Sequence, residues 1–479
     1  MGWGHLFWPV LKLLHLNKLW EINKMNSNVL VFFVVLQCFL VSTVYAKTDF
    51  YKKSDWKQMD VILKKVESPK IPNKNFIITQ YGAVSAPESD ARPAIMQTIA
   101  AAAKAGGGRV IIPRGTWLSN GPIQLQSRID LHLEEGAILL FGAQVKHYLP
   151  AVFTRWEGTE IYGYSPLVYA NNVTDVAITG KGVIDGNAQS EFHGWAKHQA
   201  ADIAALRQMG FDGVPLEKRQ FGEGHFLRPS LIQIVNATRV LLEDYTAVNS
   251  PFWVNHLVYT DHAQMRGVKV DSMFSNNDGI DIDSGRWVVI ENNHFRTGDD
   301  SVVIKSGRDL DGRTIGRPSE NIVVRNNIFD GEDGVGLGSE MSGGIKNVYF
   351  TDNTYLKGTS AFRLKANLDR GGSVEHVRIR NMTIGEAKYL FWFDLSYVAG
   401  YLGGNFPSHY QDIVFENITA DKVDTFFIGH APEVQPLEDV LFRNIKVKSS
   451  GQFMDFKGLK NVTFSDVEIN GQKMSAHFE

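Results

Sequence analysis

A short pattern recurs along the C-terminal two thirds of the chain. Each copy has an apolar residue, any residue, a second apolar residue, any residue and then Asn or Asp. Another apolar residue follows three positions after the Asn or Asp, as in Val288, Ile290, Asn292 and Phe295. The intervals between the polar positions of nine copies run from 22 to 36 residues. Those positions, one of them filled by glycine, are Asp244, Gly267, Asn292, Asn326, Asp352, Asn381, Asn417, Asn444 and Asp466.

The alternating apolar residues of each copy predict a short β-strand. A polar turn after each strand, repeated about every 25 residues, predicts stacked coils that bury a core only when their neighbours pack on them. Helical patterning is nearly absent from this region, which disfavours a strand–helix solenoid. The sequence therefore predicts an all-β fold, a parallel β-helix. A β-sandwich with irregular strands is the alternative.

Two upstream segments depart from the repeat. Asp90 precedes a helical pattern that runs through Ala103 and ends at three glycines, 106–108. We expect this helix to cover the open core at the first coil. Residues 186–228 predict a long excursion that contains some helix. No linker interrupts the rest, so we predict a single domain from residue 47 to residue 479.

The N-terminal residues 1–46 have the features of a secretion signal. Residues 29–45 form an apolar run that is followed by Ala46, and Val44 and Ala46 are the small residues at the positions that a signal peptidase reads. Met25 lies just upstream, so we expect translation to begin there and residues 25–46 to be the signal. A retained membrane anchor is the alternative. The signal predicts a periplasmic or secreted protein that is free of the membrane once mature.

Composition narrows the possible partners of the 479-residue chain. Lys and Arg number 49 against 52 Asp and Glu, so the formal charge is −3 and no global basic field exists to hold nucleic acid. Cys38 is the single cysteine of the sequence. An intrachain disulfide and a cysteine metal site are therefore excluded. We expect a monomer.

Acidic residues concentrate in two neighbouring coils. Asp278 and Asp299 are 21 residues apart, close to one coil, and Asp300 follows directly. Stacking places such residues on one face, with strands about 4.8 Å apart. Carboxylates this close cannot all ionise easily, so one pKa should rise and leave a protonated acid suited to glycosidic hydrolysis. A Ca²⁺ site and turn-capping aspartates are the alternatives.

Basic residues follow on the later coils. Arg363 and Lys365 alternate along a predicted strand and point to one face, and Lys305 and Arg308 lie on an earlier coil. Such cations can neutralise the carboxylates or bind an anionic sugar. A solvated strand edge is the alternative.

Taken in order, these residues resemble glycoside hydrolase family 28, the polygalacturonase family. The matching motifs are listed here in chain order: Arg155-Trp156-Glu157-Gly158, Asn276-Asn277-Asp278-Gly279, Thr297-Gly298-Asp299-Asp300, Ile304-Lys305-Ser306-Gly307-Arg308-Asp309, Gly338-Ser339-Glu340-Met341-Ser342-Gly343-Gly344 and Arg363-Leu364-Lys365. The resemblance runs from about residue 75 to 470 and implies a right-handed parallel β-helix.

The resemblance also implies roles for these residues in an inverting hydrolase that acts on α-glycosidic bonds of pectic, galacturonate-containing polysaccharide. Asp299 is the expected general acid, and Asp278 and Asp300 are expected to hold and activate the water. The expected substrate-binding residues are Asn276, Lys305, Arg308, Glu332, Arg363, Lys365 and Tyr397. No cofactor and no metal is expected.

One position departs from the family pattern. Glu332 stands where family members usually carry the His of a Gly-His-Gly motif. An acid disfavours an anionic sugar at that point, which makes a rhamnogalacturonan or a substituted pectin an alternative substrate. A β-helical pectic lyase and a non-catalytic glycan-binding β-helix are further alternatives.

We also expect cleavage from chain ends. Residues 306–319 make one coil longer than its neighbours and predict a polar loop beside the three aspartates. With the excursion at 186–228, this loop would wall the cleft into a pocket. Arg308, Arg313 and Arg317 in the loop are candidates for binding a terminal uronate.

Overall fold

The computed structural model describes residues 51–52, 55–86 and 88–479. The predicted signal at 25–46, and the extension before it, lie outside the described residues. Within them, four α-helices are present: α1 (Trp56–Lys65), α2 (Arg92–Lys104), α3 (Ala200–Phe211) and α4 (Asp309–Ile315). In this part of the chain, no helix has both the length and the apolar character needed to span a bilayer.

The described strands, in chain order, are Asn75–Ile77, Gly108–Ile112, Gly115–Ser119, Ile123–Gln124, Ile129–Leu133, Ala137–Phe141, Val152–Trp156, Thr159–Gly163, Val168–Thr179, Val183–Asp185, Gln220–Phe221, Ile232–Glu243, Thr246–Val248, Asn255–Val258, Asp261–Arg266, Lys269–Ser272, Ile280–Asp283, Arg286–Glu291, His294–Thr297, Asp300–Lys305, Ser319–Arg325, Ile328–Phe329, Asp333–Gly338, Ile345–Thr351, Thr354–Lys365, Ser373–Asp394, His409–His430, Leu437–Lys457, Leu459–Ile469 and Gln472–Phe478.

The strands form three parallel ladders, each with one strand per coil. The first, which we call the site sheet, includes Ile280–Asp283, Asp300–Lys305 and Asp333–Gly338. The second, the strap sheet, includes Arg286–Glu291 and Ser319–Arg325. The third ladder runs through strands such as Lys269–Ser272 and His294–Thr297. The all-β prediction is confirmed, and the fold is a right-handed parallel β-helix.

The repeat predicted from the sequence coincides with the turn between the strap sheet and the third ladder. All nine predicted polar positions have a left-handed backbone, with φ between 50° and 67°. Asn, Asp and Gly adopt this conformation at the lowest cost. Neighbouring turns are also joined, because the Nδ2 of Asn444 donates to Asn417 at 2.7 Å and that of Asn381 donates to Asp352 at 3.0 Å.

A second left-handed position occurs near the start of the strap strands and was not predicted. Its φ values lie between 49° and 61°. The residues that occupy it are Asn321, Asn347, His376, Asp412, Asp439 and Asn461. Between the two turns, the core is filled by side chains that repeat from coil to coil. The rings of Phe415, Phe442 and Phe464 stack in succession, with centroids 5.2 and 4.7 Å apart.

Both ends of the solenoid are closed. Helix α2 buries Ala94, Ile95, Ile99 and Ala102 in the core beside the first coils, as predicted for a capping helix. Asp90 accepts a hydrogen bond from the Arg92 N–H at 3.1 Å, which supports the start of that helix. At the other end, Gln472–Phe478 pairs antiparallel with Leu459–Ile469 and ends the parallel stack.

Three elements around the site differ from a plain coil. The hairpin Val152–Trp156 and Thr159–Gly163 forms a separate small sheet with Gln220–Phe221, which the sequence did not predict. The excursion at 186–228 is confirmed and contains helix α3. Residues 306–319 were predicted to be a loop, but 309–315 form helix α4, because the chain packs there against the hairpin and α3 rather than extending into solvent.

The described N-terminal residues, 51–52 and 55–70, lie across the strap sheet. Trp56, Met59 and Ile62 of α1 are buried with Val323 and Tyr349 of that sheet. Hydrogen bonds connect these residues to coils that are far apart along the solenoid. Glu416 accepts from the Trp56 indole N–H at 2.8 Å, and Asp175 accepts from the Lys70 backbone N–H at 2.8 Å. One segment therefore ties together many successive coils.

Trp56→Ala is expected to destabilise the whole solenoid. The substitution removes a buried aromatic side chain and the indole donor to Glu416, at a cost of about 3 kcal/mol or more. Denaturant unfolding should show the loss, while activity at low temperature persists because the site lies on another sheet. Lys57→Ala, on the exposed face of the same helix, is the control. Equal unfolding midpoints for the two variants would contradict the role of the segment.

Candidate active site

The candidate site lies on the outer face of the site sheet. Ile280 and Ile282 point into the core, so the alternate residues Asp281 and Asp283 point outward. Lys305 occupies the rung beside Asp283, and further along the sheet Arg363 and Lys365 project on the same face. A run of charged side chains therefore crosses successive coils, and every one of these residues is largely buried.

The three predicted catalytic aspartates stand where two neighbouring coils enter this sheet. Asp278 precedes strand Ile280–Asp283, Asp299 directly precedes the next coil's strand, and Asp300 begins it. The Gly279 N–H donates to the Asp300 carbonyl at 2.9 Å, which fixes the stagger of the two turns. An oxygen from each of the three carboxyl groups lies within 4.8 Å of the others. The stacking inferred from their spacing thus brings them together.

Two buried lysines compensate the carboxylates. Lys365 Nζ donates to Asp300 Oδ2 at 2.7 Å. Lys305 Nζ donates to Glu340 Oε2 at 2.9 Å, lies 3.8 Å from Asp281 Oδ1 and stands over the Trp253 ring. Burial by itself disfavours the charged lysines, but the surrounding carboxylates raise the pKa of both above the usual range.

The pKa values of the acids are shifted in opposite directions across the site. Burial, and then the neighbouring Asp281 and Asp299, raise the pKa of Asp278 well above its usual range. Burial and Asp300 raise the pKa of Asp299, against the effect of Lys365. Glu340 is also buried, yet Lys305 and Arg308 hold its pKa well below the usual range. The site therefore combines acids whose pKa is raised with one whose pKa is lowered, an arrangement that allows acid and base roles to be divided.

Asp281 is a further acid that sequence reasoning did not select. It is fully buried, and neither carboxyl oxygen has a hydrogen-bond partner among the described residues. Burial raises its pKa well above the usual range, and Lys305 opposes that rise. The alternation Asp-Ile-Asp after the first aspartate was the available signal, since it places both Asp281 and Asp283 on the face of the lysines.

A glycine makes room for one of the catalytic carboxylates. Gly336 lies between Val303 and Arg363 on adjacent strands. A Cβ at this position would stand 2.9 Å from both Asp300 Oδ1 and a Val303 methyl carbon. The spaced glycines at 334, 336 and 338 are thus part of a strand under the site.

The carboxylates open into a pocket of about 480 Å³ that is walled by loops. Glu157 comes from the hairpin, Arg207 from α3, Arg308 from the residue before α4, and Tyr397 and Ala399 from a later loop. Arg207 Nη2 donates to Glu157 Oε2 at 2.9 Å, and Arg308 Nη1 lies 3.4 Å from the same oxygen. The elements that interrupt the coils therefore meet at one end of the pocket.

Most of the predicted substrate-binding residues line this pocket. They are Asn276, Lys305, Arg308, Lys365 and Tyr397, and the other lining residues that the sequence analysis did not select are Glu157, Arg207, Trp253, Ser339, Glu340 and Ala399. Glu157, Ser339 and Glu340 belong to motifs that were noticed without being assigned roles. Trp253, Arg207 and Ala399 carried no signal, because only the folded chain brings their segments to the site.

The side chain of Asn276 is oriented by a hydrogen bond from a buried arginine. Asn276 has a backbone φ of +59°, and its Oδ1 accepts a hydrogen bond from Arg228 Nη2 at 2.6 Å. Arg228 is fully buried and also donates to the Pro251 and Ser275 carbonyls, both at 3.0 Å. With its oxygen so engaged, Asn276 has its amide N–H groups free to face the pocket.

Arg363 and Glu332 lie beside the pocket rather than in its lining. The guanidinium of Arg363 packs on the Trp392 ring, and its Nε is 3.9 Å from Asp333. Two of its nitrogens, Nε and Nη1, are buried and have no hydrogen-bond partner among the described residues. Glu332 is exposed, while the neighbouring Asp333 is buried and has its pKa raised to about 7 by burial and by Asp300.

Of the three loop arginines, Arg308 alone lines the pocket. Arg313 donates to the Asp369 and Arg370 carbonyls, the latter at 3.0 Å, and packs on Phe406. Arg317 donates to the Ser284 carbonyl and to Asp261, both at 2.9 Å. Because α4 turns both side chains away from the carboxylates, the expectation that they bind a terminal uronate is wrong.

Comparison with known proteins identifies the family. Residues 152–469 match the family model described as Glycosyl hydrolases family 28. The chain belongs to this family. It is 30% identical to a probable polygalacturonase from Vitis vinifera over 65% of this chain and 59% of that protein, so the alignment spans less than two thirds of that relative. It is 26% identical to an endo-polygalacturonase from Pectobacterium carotovorum subsp. carotovorum over 72% and 80% of the two chains.

Solved structures support the same assignment to family 28. The structure of a hyperthermoactive exopolygalacturonase from Thermotoga maritima superposes with a TM-score of 0.85 at 34% identity, covering 89% of this chain and 99% of that one. The polygalacturonase from Erwinia carotovora ssp. carotovora, at 23% identity and a TM-score of 0.65, shows the fold alone. The resemblance found in the sequence motifs is confirmed, and this family 28 chain is polygalacturonase-like.

Gly336→Ala is expected to reduce activity at least tenfold without unfolding the protein. The added Cβ would stand 2.9 Å from Asp300 Oδ1 and displace that carboxylate from Lys365, and small misplacements of a reacting group are costly. Turnover and the melting temperature should be measured together. Gly194→Ala, where a Cβ meets no atom within 4 Å, is the control. Full activity of Gly336→Ala would remove Asp300 from the mechanism.

Proposed function

We propose that this protein is a secreted, inverting glycoside hydrolase that removes galacturonate residues from the ends of pectic polysaccharide. The observation that carries the proposal is the set of three converging carboxylates, one of them ion-paired with the buried Lys365, in a pocket lined on one side by residues of the hairpin, α3 and the start of α4. Membership of family 28 supports the reaction class. Secretion rests on the apolar segment at 25–46, which has the features of a cleaved signal.

Asp299 is the proposed general acid. Burial and Asp300 raise its pKa, which favours the protonated carboxyl that donates a proton to the departing glycosidic oxygen. Asp300, ion-paired with Lys365, and Asp278 then hold and activate the attacking water. Inversion needs room for that water between acid and base, commonly about 6.5–9.5 Å between carboxyl groups. The nearest oxygens here are closer, so the proposal of inversion rests on the family resemblance.

The cations suit a uronate substrate. Lys365 faces the carboxylates, and Arg363 lies on the same face with two buried nitrogens that have no hydrogen-bond partner among the described residues, so both place positive charge where a sugar carboxylate would bind. Glu332 is exposed beside this region, where it would repel an anionic sugar and tolerate a neutral or esterified one. The substrate class proposed is therefore galacturonan, with a rhamnogalacturonan or a substituted pectin as the second candidate.

A hydrolase is favoured over a pectic lyase by the position of the lysines. A lyase commonly needs Ca²⁺ to neutralise the uronate, whereas here an ammonium group lies 2.7 Å from Asp300 and another compensates Asp281 and Glu340. We therefore expect activity to persist in a chelator and to produce no unsaturated, UV-absorbing ends. Loss of activity in chelator that Ca²⁺ restores would favour the lyase.

The mode of attack is tested by the earliest products of polygalacturonate digestion. A pocket closed at one end admits a chain terminus, so monomers or a single short product should be released from the start. Viscosity should fall slowly. A ladder of mixed oligomers with a rapid fall in viscosity would contradict the closed pocket, and release of no reducing ends from any pectic polymer would leave a non-catalytic glycan-binding protein.

Asp299→Asn is expected to lower turnover by about 10²- to 10⁴-fold or more. The amide fits the same space but cannot protonate the leaving oxygen, so the melting temperature should not fall. Asp271→Asn, an exposed aspartate on a neighbouring coil, is the matched control and should keep full activity. Near-normal turnover in Asp299→Asn would exclude Asp299 as the general acid.

A further inference from the structure

Two arginines from separate parts of the chain meet at the walled end of the pocket. Arg207 comes from α3, inside the excursion, and Arg308 directly precedes α4. Glu157 lies between them and accepts from Arg207 Nη2 at 2.9 Å and from Arg308 Nη1 at 3.4 Å. A second carboxylate, Glu340, lies 3.2 Å from Arg308 Nη1, but it is shared with Lys305.

Both guanidinium groups keep donors that the described residues do not use. Arg207 Nε and Arg308 Nε and Nη2 are buried and have no hydrogen-bond partner there. Arg308 Nε lies 3.5 Å from Asp309 Oδ2 without forming a hydrogen bond. The Arg308 side chain is 3% exposed and that of Arg207 is 23% exposed, so Arg207 is the more accessible of the two. Buried donors without acceptors are costly.

The backbone of the later loop shows where the two groups converge. A Cβ built on Gly400 would lie 2.6 Å from Arg308 Nη2 and 2.8 Å from Arg207 Nη1. The two guanidinium groups therefore approach one point, next to Ala399 in the pocket lining. Arg308 is shared among the carboxylates of Glu157, Glu340 and Asp309, whereas Arg207 is paired with Glu157 alone among the described residues. Arg207 therefore keeps capacity for a further carboxylate, whose planar group fits guanidinium donors well.

From these contacts we propose that Arg207, oriented by Glu157 beside Arg308, binds the carboxylate of the terminal uronate, which makes Arg207 a residue that determines specificity for charged chain ends. The inference rests on the proposed function, because it names the group recognised at that pocket's closed end. The inference also assigns a function to the excursion at 186–228, since that segment supplies Arg207.

The test compares binding of D-galacturonate with binding of its neutral methyl ester. Both are measured as competitive inhibitors of trigalacturonate hydrolysis and directly by titration calorimetry. Arg207→Gln should weaken the binding of galacturonate by about 10- to 100-fold, which corresponds to the loss of a hydrogen-bonded ion pair. The affinity for the ester should not change. The galacturonate affinity of Arg207→Lys should lie between those of the native protein and Arg207→Gln, because lysine keeps the positive charge but cannot donate two parallel hydrogen bonds as a guanidinium does. Lys197→Gln, an exposed cation in the same excursion, is the matched control.

Two results would overturn the inference. If Arg207→Gln weakens acid and ester equally, Arg207 only shapes the pocket. If the native protein does not distinguish acid from ester, no carboxylate is bound there. Failure of the proposed function is separate, because a protein that hydrolyses no pectic oligosaccharide can still be tested for galacturonate binding by calorimetry.

Discussion

The register of one coil upon the next underlies every other feature of this molecule. Backbone hydrogen bonds between parallel strands fix that register, and a left-handed residue at each turn returns the chain to the same position. Residues about one coil apart in sequence therefore lie on adjacent rungs, so Asp278 and Asp299 meet although 21 residues separate them. Helix α1 and the residues that follow it up to Lys70 lie across the strap sheet and connect successive coils of the same stack.

The same stacking buries several carboxyl groups close together, and this shifts their pKa values. A ladder of carboxylates is taken out of water, which raises the pKa of Asp278 and Asp299. Lys365 on a later rung is ion-paired with Asp300, and Lys305 lies close to Asp281 and Glu340. Because the groups that shift these pKa values include neighbours one rung away, the division of acid and base roles depends on the stagger of the coils. Catalytic competence and fold stability are thereby linked.

Features that repeat or stack locally could be predicted from the sequence. The turn positions from Asp244 to Asp466 were predicted individually, and the carboxylate cluster followed from their period. Features that depend on packing between distant segments could not be predicted. Residues 309–315 are polar and rich in charge, so they suggested a loop until the hairpin and α3 packed against them. Arg207 carried no motif, and it reaches the pocket only because the excursion folds back over the site sheet.

The most direct test of the central claim, that the stacked aspartates act as acid and base on a water molecule, is the anomeric form of the first product. Proton NMR of trigalacturonate hydrolysis, recorded before mutarotation, distinguishes the possible outcomes. The account predicts that the β-anomer of the newly formed reducing end accumulates first, because water attacks an α-linkage from the opposite face. Initial α-anomer would mean that one aspartate acts as a nucleophile, and unsaturated product would mean elimination. Either result would contradict the roles assigned to Asp278, Asp299 and Asp300.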